Sequence, residues 1–235
     1  MFFKICGIIS IMPRTDRVDV GDVIYHVINR ANARAQIFYD DADYFLFEEL
    51  LRTAREEVVD MRILSYCIMP NHWHLVLQPK KDGDMSQFMR WLQVTHTRRW
   101  HIERESVGSG HLYQGRYKSF PVEADSYLLS LLRYVERNPL RAKMVEHAED
   151  WRWSSLWIKE NGTPKQKKML GEWPIDVPDN YLQWVNESQT VKELDDIHSC
   201  IKKNRPFGTD EWVDKICKKF DLGSTLREAG RPKTI

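Results

Sequence analysis

The sequence has few of the features that would place it at once in a familiar class of protein. Its four cysteines, Cys6, Cys67, Cys200 and Cys217, form no C-x-x-C pair, so neither a disulfide framework nor a four-thiolate zinc site is indicated. The net charge is only +1, from 35 Lys and Arg against 34 Asp and Glu, and gives no reason to expect a polyanionic partner. With 11 Gly and 10 Pro, a collagen-like or wholly disordered chain is excluded.

A hydrophobic run long enough to cross a bilayer is also missing. The apolar segment 2–11 is too short and is interrupted by Lys4, and no small-residue cleavage site precedes the charged stretch 14–17. The segment is either a weak signal sequence or a stretch upstream of a start at Met12, and we favour the second interpretation. We therefore expect residues 1–11 to be a disordered extension of a cytoplasmic protein that does not associate with membranes.

Hydrophobic periodicity predicts an alternation of strands and helices. The predicted elements are a strand ending near Arg30, a helix over 40–60, a hairpin over 63–69 and 73–78, a helix over 85–104 and a strand over 117–122. This order is typical of the ferredoxin-like split βαβ arrangement, an α+β fold. We expect an antiparallel sheet with helices on one face.

A further helix is predicted after the last strand. Asp125 is a suitable N-cap, and the helix should end at Asn138 because Pro139 disfavours a helical conformation in the residue before it. We expect the main domain to span 12–157. An irregular connecting region over 158–190 and a small helical C-terminal appendage with a basic tail over 191–235 should follow it.

The most informative motif is a pair of histidines in the second strand of the hairpin. His72 and His74 alternate with Trp73, so on a strand both imidazoles point to one face and lie close enough to share a divalent metal. Trp73 faces the other side. Such pairs are more often surface or core histidines, so a metal site requires a third ligand.

A second motif lies on the helix that follows Asp125. Tyr134 and Asn138 are four residues apart and share a helix face, so an amide oxygen and a phenol face the same place. A phenolate is a possible nucleophile towards phosphorus when a metal stabilises the phosphodiester. On spacing alone, an interfacial tyrosine and a helix-terminating asparagine are the commoner explanation. Tyr127 is a rival nucleophile, roughly 10 Å back along the helix axis.

Basic and aromatic residues are interleaved between positions 86 and 118. This stretch has a local charge of +4, whereas the helix over 40–60 has a local charge of −6. Basic side chains can follow a phosphate backbone while aromatic rings stack on unpaired bases. A solvated helix face with core aromatics would account for about half of these residues. If DNA binds, it should bind away from the acidic helix and with a marked salt dependence.

Several separated motifs resemble one protein family. They are Tyr25-His26-Val27-Ile28-Asn29-Arg30, Met69-Pro70-Asn71-His72-Trp73-His74, Leu112-Tyr113-Gln114-Gly115-Arg116-Tyr117-Lys118, Tyr134-Val135-Glu136-Arg137-Asn138-Pro139-Leu140-Arg141-Ala142 and Trp151-Arg152-Trp153-Ser154-Ser155. In this order they resemble the REP-associated tyrosine transposases, which are single-tyrosine HUH transposases acting on single-stranded DNA. The resemblance covers roughly 12–157.

The resemblance implies a set of site residues and a chemistry. His72, His74 and Asn138 would bind Mg²⁺ or Mn²⁺, and Tyr134 would become joined to a DNA 5′-phosphate and leave a free 3′-hydroxyl. The DNA contacts we favour are Arg30, Arg98, Arg99, Arg116, Tyr117 and Lys118. Trp73 stands where the family usually has an aliphatic residue, which affects local packing more than chemistry.

The function implied is a strand transferase that cleaves and rejoins hairpin-flanked single-stranded DNA through a 5′-phosphotyrosine intermediate. The protein would act in the nucleoid, as a monomer or homodimer. One alternative is a domesticated protein that binds DNA hairpins without cleaving them. A second is a small zinc protein, in which Cys67 on the partner strand joins His72 and His74.

Overall fold

The computed structural model describes residues 17–227, so the extension expected over 1–11 and the basic tail over 229–235 lie outside the described residues. Its sheet contains strands β1 (Ile24–Arg30), β2 (Met61–Met69), β3 (His72–Pro79) and β4 (Lys118–Val122). They lie in the order β2-β3-β1-β4, and every neighbouring pair is antiparallel. The sheet order and the chain path confirm the predicted ferredoxin-like α+β fold.

The helices lie between the strands and after β4. They are α1 (Asp41–Thr53), α2 (Asp84–Glu103), α3 (Ser126–Glu136), α4 (Asn138–Arg141), α5 (Ser155–Asn161), α6 (Pro164–Lys167), α7 (Tyr181–Asn186), α8 (Val191–Lys203) and α9 (Asp210–Lys219). Short 3₁₀ turns occur at Asn32–Arg34, Ala148–Asp150 and Gly223–Leu226, and a π-helical turn at Ala54–Val58 continues α1. Within residues 17–227, no helix combines the length and apolar character needed to span a membrane.

Side-chain alternation in the strands divides the interior into two layers. On β3, Trp73, Leu75 and Leu77 belong to one hydrophobic cluster with α1 and α2, whereas Val76 belongs to a second cluster with α3 and α8. This is the period-2 pattern of a strand that is buried on both faces. Both faces of the sheet are therefore covered.

The expected placement of helices on one face holds for α1 and α2 but is wrong for α3, and α8 of the expected appendage packs on the same face as α3. The chain leaves the edge strand β4 and returns across the other face as α3. Leu128, Leu131 and Leu132 of α3 are fully buried there and pack with Val76 of β3. Burial of this apolar stripe stabilises the helix on that face.

Helix α3 begins where the sequence predicts but ends two residues before the expected Asn138, which is instead the first residue of α4. The Asp125 carboxylate accepts a hydrogen bond from the backbone N–H of Tyr127 and caps the N-terminus. The regular helix ends at Glu136, and the short helix α4 begins at Asn138 with Pro139 in its first turn.

The C-terminal segment packs directly on α3. Ile197 and Cys200 of α8 and the downstream Phe207 share a hydrophobic cluster with α3. The guanidinium of Arg133, which is buried in α3, pairs with Glu193 of α8 at 3.0 Å and donates to backbone carbonyls after α7. Residues 181–207 thus pack against α3, on the face of the sheet opposite α1 and α2.

Candidate active site

The two histidines of the H-x-H motif lie side by side on β3. Their ring centroids are 5.1 Å apart, and the rings meet edge to face. In the sheet, His72 is opposite Arg30 of β1 and His74 is opposite Ile28. His74 is buried and His72 is half-buried, so the pair lies at the border between the second layer and solvent.

Helix α3 brings Tyr134 onto His74. The two rings meet edge to face with centroids 5.7 Å apart, and Tyr134 is only 4% exposed. The guanidinium of Arg141 lies 4.2 Å from the centre of the Tyr134 ring, and the His198 ring of α8 is 5.8 Å away. The Tyr134 ring is therefore held between His74 of β3, Arg141 of α4 and His198 of α8.

Asn138 is the third metal ligand that the family resemblance implies, in addition to His72 and His74. It is buried at the start of α4, four residues after Tyr134. Among the described residues, its side-chain nitrogen has no hydrogen-bond partner. The oxygen of the same amide is the atom that a hard cation would use.

Burial keeps the imidazoles of the pair neutral. It lowers the pKa of His72 to about 4, with smaller contributions from Arg30 and Arg141, and lowers the pKa of His74 well below its usual value. A neutral imidazole has the lone pair that a metal ion requires. Burial also raises the pKa of the Tyr134 phenol, while Arg141 and Arg30 act in the opposite direction and favour the phenolate.

The donor set expected from the sequence, two imidazoles and one amide oxygen, is chemically suited to a divalent cation. Two neutral imidazoles and one amide oxygen leave positions for phosphate oxygens and water, as Mg²⁺ and Mn²⁺ require. Within residues 17–227, no three His, Cys, Asp or Glu side chains are placed to share a metal ion, so a third ligand would have to be of another residue type, as Asn138 is.

The zinc alternative loses support on the same observation. Cys67 does lie opposite His74 in the β2–β3 register. Its thiol is fully buried, and burial raises the thiol pKa.

A basic cavity lies at the C-terminal end of β1 and the N-terminal end of β4, beside the face of the sheet that carries His72 and His74 (the histidine face). It has a volume of about 340 Å³ and is lined by Ile28, Asn29, Arg30, Gln114, Gly115, Arg116, Lys118 and Ile201. The Asn29 side chain donates to the Gly115 carbonyl at 3.0 Å, and the Gln114 N–H donates to the Arg30 carbonyl at 3.0 Å, so the wall has a fixed shape. Three of the sequence-predicted DNA contacts therefore meet in one place.

The other predicted DNA contacts lie elsewhere. Arg98 and Arg99 are exposed on α2, which packs on the opposite face of the sheet from Tyr134. Tyr117 is buried, and the guanidinium of Arg17 covers its ring at 3.7 Å. The rival nucleophile Tyr127 packs against Phe207 rather than against the histidines.

Three residues at this site had no role assigned from the sequence. His26 of β1 contacts His74, Arg141 lies over the Tyr134 ring, and His198 meets that ring from α8. Strand alternation could have found His26, because it shares a face with Arg30. Only tertiary packing brings His198, 64 positions beyond Tyr134, to this site.

Comparison with known proteins gives three findings. The sequence profile of the family described as "Transposase IS200 like" matches residues 19–138, just over half of the chain. A protein of Haemophilus influenzae assigned as a REP-associated tyrosine transposase is 27% identical over 101 residues. That match covers 40% of this chain and 57% of the relative, so this chain spans a little over half of the relative's length.

The third finding is a likeness to solved structures. A REP-associated tyrosine transposase bound to a REP hairpin superposes with a TM-score of 0.50 at 16% identity, over 71% of this chain and 93% of the other. A protein from Deinococcus radiodurans assigned as a transposase gives a TM-score of 0.38 at 20% identity, over 52% of this chain and 95% of the other. At its level of identity, the first likeness supports the fold alone.

Proposed function

This chain belongs to the IS200-like transposase family, and from that premise we propose that it is a DNA strand transferase that uses Tyr134 as its nucleophile. The observation that carries the proposal is the contact between His74 of the H-x-H motif and Tyr134, whose rings lie 5.7 Å apart. A metal-binding imidazole pair beside a phenol is the combination that phosphodiester cleavage through a covalent tyrosine intermediate requires. Tyr127, packed on Phe207, lacks such neighbours.

The proposed reaction is a transesterification. The phenol gives its proton to solvent as its oxygen bonds to phosphorus, and the bond from phosphorus to the 3′ oxygen breaks. That oxygen takes a proton and becomes a free 3′-hydroxyl, while the 5′-phosphate stays on Tyr134. Attack by an incoming 3′-hydroxyl reverses the step and rejoins DNA, so no oxidant or nucleotide cofactor is needed.

The residues around the tyrosine have distinct roles in this reaction. His72, His74 and Asn138 would hold Mg²⁺ or Mn²⁺, which when bound polarises the phosphate as a Lewis acid. Arg141, 4.2 Å from the ring centre, stabilises negative charge on the phenol against the cost of burial.

The proposed substrate is single-stranded DNA flanked by a hairpin. Arg30, Arg116 and Lys118 converge on the basic cavity next to the histidine face, where a phosphate and an unpaired base would fit. The structural relative bound to a REP hairpin supports a hairpin ligand of this kind. In this proposal the catalytic domain spans 12–157, and the protein acts on DNA in the nucleoid.

Covalent trapping tests the proposal. The protein is incubated with Mn²⁺ and a pool of 3′-labelled single strands, each with a hairpin stem and random unpaired flanks, and the products are separated by denaturing electrophoresis. We expect labelled protein from the wild type and none from Tyr134→Phe, because the label lies on the strand that keeps the 5′-phosphate.

The matched control is Tyr127→Phe, which removes the other phenol hydroxyl of the same helix and should leave the adduct intact. An undiminished adduct from Tyr134→Phe would contradict the assignment. Binding of the hairpin pool by the wild type without any adduct would instead support a hairpin-binding protein that does not cleave.

A further inference from the structure

A third histidine lies directly behind the proposed metal ligands. His26 of β1 is fully buried, and its Nε2 is 2.8 Å from Nδ1 of His74. The two rings are nearly parallel, with centroids 5.1 Å apart and an interplanar angle of 22°. In the sheet, His26 pairs with Val76 and so contacts His74 diagonally on the same face.

This contact decides which nitrogen of His74 is available to a cation. Its Nδ1 is occupied by His26, so only Nε2 can bind a metal. A hydrogen bond between two neutral imidazoles contains a single proton. If His26 donates that proton, His74 carries its own hydrogen on Nε2 and has no lone pair for a metal. If His74 donates from Nδ1, its Nε2 has a free lone pair.

We propose that His26 is a positioning residue that accepts the Nδ1 hydrogen of His74 and so holds the Nε2 of His74 ready for the divalent cation. The inference rests on the proposed function, because it takes His74 as a metal ligand. Metal-bound histidines commonly donate their second nitrogen to a carboxylate, a carbonyl or water. Here a buried neutral imidazole takes that place.

The surroundings of His26 suit this role. The ring of Phe120 packs on it with centroids 4.9 Å apart, which fixes the plane of the imidazole. Among the described residues, its Nδ1 has no hydrogen-bond partner, so no group on that side selects a tautomer, and in the proposed one Nδ1 carries an unpaired N–H. Within residues 17–227, His26 contacts the site through His74.

The test compares two substitutions of His26 by measuring Mn²⁺ affinity in the absence of DNA. His26→Phe keeps a ring but removes the acceptor, and we expect Mn²⁺ affinity to fall by about 10- to 100-fold, the usual loss for such a partner. His26→Gln supplies an amide oxygen as acceptor and should restore most of the affinity. Equal losses with Phe and Gln would show that His26 acts by packing alone, and unchanged affinity in His26→Phe would also overturn the proposal.

His96→Phe is the matched control. His96 is equally buried but lies in the other layer, where its Nδ1 is 2.7 Å from the Tyr113 hydroxyl. This variant should bind Mn²⁺ as the wild type does. A fall like that of His26→Phe would mean that any buried-histidine loss disturbs the site, and the proposal would fail.

A second measurement does not depend on a stable variant. In metal-free wild-type protein with ¹⁵N-labelled histidine, NMR should show a hydrogen on Nδ1 of His74 and none on Nε2. The opposite tautomer would overturn the inference. Failure of the proposed function looks different: the wild type would bind Mn²⁺ and show the expected tautomer but form no covalent adduct.

Discussion

Trp73 shows how one residue can lie between two catalytic candidates without facing them. Its side chain is fully buried in the layer of α1 and α2, and its indole N–H donates to the Tyr113 hydroxyl at 3.1 Å. His72 and His74 point to the other face. The bulky residue in the H-x-H motif therefore belongs to packing, as strand alternation predicts.

A substitution at this position should separate stability from metal binding. Trp73→Leu removes buried ring atoms and leaves the Tyr113 hydroxyl without its donor, so we expect a loss of roughly 2–4 kcal/mol in the free energy of unfolding. Urea denaturation measures the loss. Mn²⁺ affinity measured well below the unfolding midpoint should match the wild type, and a parallel loss of affinity would contradict the separation of the two faces.

Among the elements, α3 connects the active-site candidate to the C-terminal segment. Glu136, two residues after Tyr134, is fully buried and accepts hydrogen bonds from Ser155 and Tyr181, each at 2.8 Å. Its carboxylate also pairs with Lys159 at 3.0 Å. One carboxylate thus ties α3 to α5 and to the start of α7, on the side away from the histidines.

Neutralising this carboxylate should loosen the attachment. Glu136→Gln leaves Lys159, whose side chain is 28% exposed, without its counter-ion. We expect a loss of roughly 1–3 kcal/mol in the free energy of unfolding, as for other buried groups left without a partner. A double-mutant cycle with Lys159→Met measures the coupling, which should be well above zero. Zero coupling would mean that the two charges act independently.

At the scale of the whole molecule, the near-neutral total charge is an average over opposed surfaces. The acidic helix α1 packs on one face of the sheet, and the cavity lined by Arg30, Arg116 and Lys118 opens beside the other. Arg99 lies on the acidic side. The pKa of the Glu49 carboxyl in α1 is lowered, mainly by its hydrogen bond with Arg52 and with a contribution from Arg99.

Salt dependence distinguishes the two basic groups. If Arg116 and Lys118 contact DNA phosphates, then Arg116→Gln and Lys118→Gln should each reduce the slope of log affinity against log salt by about 0.7 for a single strand. Fluorescence anisotropy with a labelled hairpin single strand gives the slope. Arg98→Gln and Arg99→Gln serve as controls with the same charge change and should leave it unaltered. The reverse pattern would move the DNA path to α2.

The sequence by itself determined the local elements and the family. Hydrophobic alternation located the β2–β3 hairpin, and a capping residue located the start of α3. The resemblance to REP-associated tyrosine transposases is confirmed by the family profile and by the curated relative. These features depend on short-range periodicity and on motifs of consecutive residues, so the sequence shows them without coordinates.

Only the tertiary structure decided which of these elements meet. Local periodicity does not say which face of a sheet a helix covers, so the placement of α3 and α8 opposite α1 and α2 could not be predicted. For the same reason, the local charge of +4 counted over 86–118 combines Arg98 with Lys118, although the fold places these two residues apart. The contacts of His26 and His198 around His74 and Tyr134 arise from strand pairing and helix docking, which join residues far apart in the chain.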